Sequence, residues 1–438
     1  MDMKTKEKRE IAEREQDYLI ELIQREMVPA IGCTEPIAVA LCTAKATETL
    51  GCPPSKIEVY LSSNVLKNAM GVGIPGTGGM IGLPIAVALG AVKGKSEYQL
   101  EVLKDVTEQD VEVGKRIIEE KQISIMLKDG IEHKLYIEVI CKSEHNRAVA
   151  VISGEHTTFT HIAYNNEVLL DVAPKATDMV TDEQYKLSMR KVYDFAIETP
   201  IEKLRFILEA ARLNKSAAEV SLKGNYGHEL GRALSSPSNH KVVGNNSFTN
   251  ILSYTSAACD ARMAGAKIPV MSNSGSGNQG IAATLPVVIY AEDNDCSEES
   301  LIRALVLSNL TVIYIKQNSG RLSALCGCVI AATGSACGIV TLMGGGYIEV
   351  SSAVKNMIAN LTGMICDGAK PSCSMKLTSG VATALLSAML AMNGKCVTSV
   401  EGIIDHDVDK CISNLAIIGS QGMAETDRMV LEIMVNKS

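Results

Sequence analysis

Three cysteines in the C-terminal half of the chain have the residue type and local sequence of metal ligands. Cys326 precedes Gly327, and Cys366 and Cys373 flank the turn Asp-Gly-Ala-Lys-Pro. Thiolates are the usual ligands of iron–sulfur clusters and structural zinc, and glycine-containing turns let the backbone approach a metal. Three thiolates on a cubane cluster would leave one iron open to a substrate, whereas a fourth would make the cluster an electron carrier or a structural element.

The spacing of these cysteines does not decide the question. The intervals are forty and seven residues, whereas zinc ribbons and bacterial ferredoxins place cysteines in CxxC pairs. Cysteine is also among the most frequently buried residue types, and Cys328 and Cys337 lie in the same Ala- and Gly-rich stretch. Buried free thiols are therefore as good an interpretation as metal ligands at this point.

Another cysteine lies where a helix is predicted to begin, in the segment GCTEPIAVAL. Pro36 suits the first helical turn and Thr34 or Glu35 can cap it, so Cys33 comes just before the helix N-terminus. The positive end of the helix dipole favours a thiolate there, which would make Cys33 reactive. A buried structural cysteine is the alternative.

Two polar segments could bind a small anion. Asn64 and Asn68 follow the predicted strand of residues 56–62 and precede a glycine-rich region. The segment SNSGSGNQG joins a short apolar strand to an apolar helix, and its hydroxyl, amide and backbone N–H groups suit a carboxylate. Its glycines also match GxGxxG, so dinucleotide binding is a rival, although the required second parallel βαβ unit is missing.

Composition narrows the class of protein. The chain of 438 residues has a net charge of −8, which offers no basic face to nucleic acid or an anionic membrane. Its thirteen cysteines are scattered through apolar segments, and the first residues contain no apolar signal core. We therefore predict a protein of the reducing cytoplasm without a disulfide framework. The longest apolar runs are too short to span a membrane and read as buried core helices.

The predicted fold class is α+β. Ala- and Gly-rich helices with few aromatic residues indicate a mainly helical catalytic domain of residues 1–93 and 175–438. Between them, a charged helix of about residues 107–121 precedes alternating segments rich in Val, Ile, Thr and Tyr, with Asp-Gly and His-Asn turns. Residues 94–174 are therefore predicted to be a small α+β insert with antiparallel strands.

Taken together, GCTEP, SNSGSGNQG and ICDGAK…C resemble the L-cysteine desulfidases, which are related to the α chain of iron–sulfur L-serine dehydratases. The resemblance covers nearly the whole chain, and forty and seven is the spacing of that family's cluster ligands. It implies that Cys326, Cys366 and Cys373 hold a [4Fe–4S] cluster and that Cys33 is the active-site base. Cys328 and Cys337 are then structural or accidental. The implied reaction converts L-cysteine to hydrogen sulfide, ammonia and pyruvate without pyridoxal phosphate.

The resemblance also implies a substrate site and a homodimer, since related enzymes are often dimers. The residues expected to contact the amino-acid substrate are Thr34, Glu35, Asn64, Asn68, Ser274, Ser276, Asn278 and Gln279. The chain ends VNKS and lacks the terminal cysteine of bacterial serine dehydratases. This difference favours the desulfidase branch. An L-serine dehydratase, and a non-catalytic metal-binding or redox protein, remain the alternatives.

Overall fold

The computed structural model describes residues 3–128, 130–131, 135–173, 186–319 and 324–436, with only the backbone for residues 3–12. Helices make up most of this part of the chain, and one six-stranded sheet lies among them. The predicted helix-dominated α+β fold class is therefore confirmed. The helices are α1 (Met3–Glu26), α2 (Thr34–Leu50), α3 (Ser63–Ala69), α4 (Leu83–Val92), α5 (Glu108–Glu119), α6 (Met189–Glu198), α7 (Ile201–Leu204), α8 (Leu208–Lys223), α9 (Leu230–Ser235), α10 (His240–Val243), α11 (Ser247–Met263), α12 (Gly277–Asp293), α13 (Glu298–Ser319), α14 (Gly327–Leu342), α15 (Tyr347–Leu361), α16 (Cys373–Met392), α17 (Val408–Ile417) and α18 (Ala424–Val435).

The strands form two sheets. They are β1 (Pro29–Ile31), β2 (Lys56–Leu61), β3 (Ile123–Leu127), β4 (Tyr136–Lys142), β5 (Arg147–Ser153), β6 (Phe159–Tyr164), β7 (Glu167–Asp171) and β8 (Pro269–Met271). The larger sheet has the order β3-β2-β4-β5-β6-β7, and all its pairs are antiparallel except β2 with β3. The short strands β1 and β8 pair antiparallel as a separate ribbon.

The larger sheet packs against helices that precede it in the chain. Alternate residues of β2 and β4 are buried against α2 and α4, and these elements share one hydrophobic core. A capping box between Thr107 and Asp110 begins α5, whose bounds are close to those of the charged helix predicted at about residues 107–121. Helix α5 packs on α4. The sheet thus includes β2, which lies upstream of the predicted insert at residue 94. The boundary at residue 174 lies outside the described residues, and the domain division stays a prediction.

A second and larger core joins helices α6 to α17. Its centre is formed by α12, α13, α14 and α16, whose facing residues are almost all buried. Small residues allow close contact: a Cβ on Gly334 of α14 would lie 2.4 Å from the carbonyl oxygen of Ser308 on α13. The backbones can therefore approach only because this position has no side chain.

Helix α16 is the one helix among the described residues that is long and apolar enough to cross a membrane by length and composition. Half of its most apolar window is buried inside the protein, where it packs on α11, α14 and α15. A core helix of a globular protein passes the same test, so this feature is weak evidence for a membrane span.

Candidate active site

A pocket of about 150 Å³ lies where the two hydrophobic cores meet. One wall comes from the start of α2 and from α3, which belong to the sheet-containing core. The other comes from the end of α11, the loop before α12, and the turns around Cys326 and Cys366. A wider depression of about 730 Å³ on the exposed face of the sheet holds none of the predicted site residues.

Backbone hydrogen bonds bring the two cysteine turns together. Leu325 and Ile365 form an isolated antiparallel bridge. The amide of Cys326 donates to the Met364 carbonyl at 2.8 Å, and the amide of Cys366 donates to the Ala324 carbonyl at 2.7 Å. Residues forty positions apart in the chain therefore lie side by side at the pocket wall.

The third predicted ligand reaches the same wall from the start of α16. The amide of Cys373 donates to the Lys370 carbonyl at 2.9 Å, and its Sγ lies 3.6 Å from the Gly368 carbonyl oxygen. No set of three His, Cys, Asp or Glu side chains in the described ranges is close enough to chelate a single metal ion. A cubane cluster does not require such a set, because each of its thiolates binds a different iron.

The structure adds a fourth thiol to this wall. This thiol is Cys328, which also lines the pocket. A hydrogen bond between Cys328 and Cys326 lowers the pKa of Cys326 to about 7, although burial opposes the change. Cys337 lies nine residues, about two and a half turns, beyond Cys328 in α14, fully buried and away from the pocket. Cys337 thus has the environment of a structural cysteine, whereas Cys328 does not.

Cys33 is the N-cap residue of α2, as predicted, and its side chain points to a carboxylate. Its Sγ donates to Glu35 Oε2 at 3.0 Å, and Thr34 Oγ1 donates to the same oxygen at 3.3 Å. Burial and the Glu35 carboxylate raise the pKa of Cys33 well above its usual value, although Arg262 opposes them. Burial and the Glu35 carboxylate therefore oppose the thiolate form that the helix dipole at Cys33 favours, and the role of Cys33 stays a prediction.

The polar loop between β8 and α12 is held rigidly from both sides. Buried Asn214 on α8 accepts a hydrogen bond from the Met271 amide at 2.8 Å and donates to the Gly280 carbonyl at 3.1 Å. Asn273 Nδ2 donates to Asn309 Oδ1 at 3.0 Å. The amide of Ser274 donates to a carbonyl at the end of α1 at 2.9 Å. These bonds fix the hydroxyl and amide groups that face the pocket.

The same loop does not have the setting of a dinucleotide-binding motif. Strand β8 has only three residues and pairs antiparallel with β1, and no parallel βαβ unit surrounds it in the described part of the chain. The third glycine of the motif has a packing reason, since a Cβ on Gly280 would lie 1.9 Å from the Met271 carbonyl oxygen. The GxGxxG match therefore reflects contact between helix and strand.

All but one of the predicted site residues line this single pocket, and the exception, Thr34, contacts it through Glu35. Those that line it are Cys33, Glu35, Asn64, Asn68, Ser274, Ser276, Asn278, Gln279, Cys326, Cys366 and Cys373. Their individual roles stay predictions.

Sequence reasoning missed most of the positive charge of the site. Arg262 and Lys316 line the pocket and are each only 6% exposed, and Lys67 of α3 forms an ion pair there with Asp427 of α18. The signal available in the sequence was a basic side chain at the end of a long uncharged run, Arg262 just after Asp260 in α11 and Lys316 after residues 304–315 in α13. Such charges are rarely buried without a partner or a function.

Comparison with known proteins identifies the family of this chain. Residues 97–432 match the family model described as serine dehydratase alpha chain. A UPF0597 protein of Bacteroides fragilis is 67% identical over 427 residues, which cover 98% of this chain and 100% of the relative. UPF0597 proteins of Porphyromonas gingivalis and Oleidesulfovibrio alaskensis are 54% and 45% identical, with 96% and 95% of this chain and 99% and 97% of those relatives covered. The chain belongs to the serine dehydratase alpha chain family.

Proposed function

We propose that this protein is an iron–sulfur-dependent lyase that converts L-cysteine to hydrogen sulfide, ammonia and pyruvate. The family supports a lyase that acts on a small amino acid. The observation that supports the proposal most is the convergence of three turn-placed thiols, a cysteine–carboxylate pair and an amide- and hydroxyl-rich loop on one small pocket. A pocket of about 150 Å³ suits a substrate as small as an amino acid.

The donor set fits a [4Fe–4S] cluster. Cys326, Cys366 and Cys373 would hold it, since all three are thiols on tight turns at one wall. Burial raises the pKa of Cys366, and the positive charges of Lys67 and Lys376 oppose that rise. The nearby positive charge favours the thiolate form that metal binding requires. When bound, such a cluster supplies a thiophilic Lewis acid at its open iron.

The Cys33–Glu35 pair provides a proton path on the opposite wall. Because Cys33 Sγ donates to Glu35 Oε2 at 3.0 Å, the carboxylate is placed to take the thiol proton. The resulting thiolate is a base for the α-proton of the substrate. Arg262, which lowers the pKa of Cys33, stabilises that thiolate. Glu35 is thus assigned to proton transfer in addition to substrate contact.

The loop before α12 and the amides of α3 would orient the substrate. The hydroxyl groups of Ser274 and Ser276 and the amide of Asn278 face the pocket opposite Asn64 and Asn68. Fixing the α-hydrogen towards Cys33 lowers the barrier through positioning. Loss of the α-proton and of the β-substituent yields 2-aminoacrylate, which tautomerises and hydrolyses to ammonia and pyruvate.

The test is an oxygen-free assay of L-cysteine and L-serine with identification of products. We expect sulfide and pyruvate from L-cysteine. Cys366→Ala should remove both the iron and the activity, whereas Cys337→Ala removes a fully buried thiol outside the pocket and should spare them. Equal losses in the two variants would contradict the ligand assignment.

The other outcomes separate the alternatives. Pyruvate from L-serine without sulfide from L-cysteine would identify an L-serine dehydratase, which the family match favours as the second candidate. Bound iron with neither product would identify a non-catalytic metal-binding or redox protein. A cytoplasmic location and a homodimer are part of the proposal, and sedimentation of the purified protein tests the second.

A further inference from the structure

Arg262 is a buried cation at the end of α11, and the proposed function so far gives it no contact with the substrate. It is 6% exposed and lines the pocket beside Cys33 and the loop before α12. Its Nη1 donates to Asn278 Oδ1 at 3.0 Å. Gly277 leaves room for the guanidinium, because a Cβ there would lie 2.3 Å from Nε. The side chain is therefore fixed in place within the pocket wall.

No acidic residue of the described chain pairs with this guanidinium. Its Nε is buried without a hydrogen-bond partner, and the contact with Asn278 occupies only Nη1. The other two cations of the pocket are engaged, since Lys67 pairs with Asp427 and Lys316 has an interaction of its own. Arg262 is thus the pocket cation with donors left to offer.

An unpaired charge is costly to bury, so its presence here points to an anion that completes the site. Guanidinium N–H groups match the oxygens of a carboxylate. Arg262 and Gln279 both line the pocket, and each has a buried polar atom without a hydrogen-bond partner among the described residues. The polar groups of this wall are therefore not fully satisfied by the protein itself.

We propose that Arg262 binds the α-carboxylate of the substrate and restricts the site to amino acids with a free carboxylate. The proposal rests on the proposed function for the nature of the substrate. It gives the carboxylate a charged partner, where the loop hydroxyls and amides alone offer only neutral ones. Asn278 is then a positioning residue that holds the guanidinium edge towards the substrate.

Binding of unreactive ligands tests this independently of catalysis. L-Alanine has no β-leaving group, and L-alaninamide lacks only the carboxylate charge. Calorimetric titration of protein purified without oxygen should show wild-type binding of L-alanine at least about 10-fold tighter than of L-alaninamide, because hydrogen bonds to charged groups are the strong ones. Arg262→Gln should lose this preference, and Arg262→Lys should keep part of it.

Kinetics provide the second readout. Arg262→Gln should lower kcat/KM for L-cysteine by roughly 100-fold and change that for L-cysteine methyl ester by less than about threefold. Arg303→Gln is the matched control, since Arg303 donates to carbonyl groups of the α6–α7 region away from the pocket. It should leave the acid-to-ester ratio unchanged.

Several results would overturn the proposal. If wild-type protein binds L-alanine and L-alaninamide equally, or binds neither compound, it has no site for the carboxylate. An Arg262→Gln variant with wild-type affinity for L-alanine, or an equal loss for acid and ester, would also overturn the proposal. If Arg262→Gln does not fold, Arg262→Lys gives the same comparison. A wild-type protein that binds L-alanine through Arg262 but releases no product would overturn the proposed function alone.

Discussion

Replacing Asn214 by Ala should destabilise the protein and loosen the loop before α12. The side chain is fully buried and holds β8 and α12 together through the Met271 amide at 2.8 Å and the Gly280 carbonyl at 3.1 Å. Because the Ser272 amide donates to the Val28 carbonyl just before β1, the Met271 amide faces α8 and has Asn214 as its partner. Leaving the buried Met271 amide unsatisfied costs about 1–3 kcal/mol, and losing the bond to the Gly280 carbonyl, which lies within α12, costs about 0.5–1.5 kcal/mol. We therefore expect a loss of about 1.5–4.5 kcal/mol.

The expected change in melting temperature follows from the size of the chain. Unfolding entropy of about 2.1 cal/mol/K per residue gives about 0.9 kcal/mol/K for 438 residues, so the variant should melt about 2–5 °C lower. The sequence contains no tryptophan, so far-ultraviolet circular dichroism is the suitable signal. Asn239→Ala is the control, because its amide also donates to a backbone carbonyl, at 2.8 Å, but in an exposed position. Its effect should stay within about 0.5 kcal/mol.

Asn214→Asp distinguishes the loss of hydrogen bonds from the loss of side-chain volume as the cause of destabilisation. The carboxylate keeps the acceptor for the Met271 amide but loses the donor and faces a carbonyl oxygen, so it should be less stable than Asn214→Ala near neutral pH. Burial raises the pKa of such a carboxyl in the folded state, so stability relative to wild type should recover as the pH falls. Unchanged melting of Asn214→Ala, or equal melting of both variants at every pH, would refute the reasoning.

Three further predictions follow from single contacts. Glu58 is hydrogen-bonded at 2.8 and 2.9 Å by two lysines of the sheet, which hold its pKa below the usual range. The stability difference between wild type and Glu58→Gln, about 0.5–1 kcal/mol after solvent screening, should therefore be present at neutral pH and disappear as the pH falls below about 4, as measured by urea unfolding. Gly277→Ala should displace the Arg262 guanidinium and weaken L-alanine binding in calorimetry by about 10-fold or more while leaving the circular dichroism spectrum unchanged. Glu35→Gln should lower kcat by about 100-fold with little change in KM, because it removes the proton acceptor of Cys33, and a KM effect alone would count against that role.

The elements that carry the strongest patterns were predictable from the sequence. Proline and capping residues placed the start of α2, so Cys33 was found at its N-cap, and alternation identified β2. Local patterns report local structure, and these elements needed nothing more. The set of pocket residues could be predicted because several separate motifs resembled those of one family.

Features that depend on distant contacts were not predictable. Strand β1 has three residues and exists because β8 pairs with it, so no alternation marks it. The protonated state of Cys33 depends on burial by residues far along the chain, which the sequence near it does not report. Arg262 lies beside Asp260 at the end of a helix, and only packing made it a pocket residue.

The pocket is built from segments made early and late in synthesis. Its first wall contains Cys33, and the opposite wall ends at Cys373, while Lys67 of the first wall pairs with Asp427 in the last helix. A nascent chain that has not yet left the ribosome therefore has one wall without the other. Any inorganic group that this cavity holds must be delivered to the finished polypeptide, and a prematurely terminated product would expose its sulfurs to oxidation before a carrier could reach them.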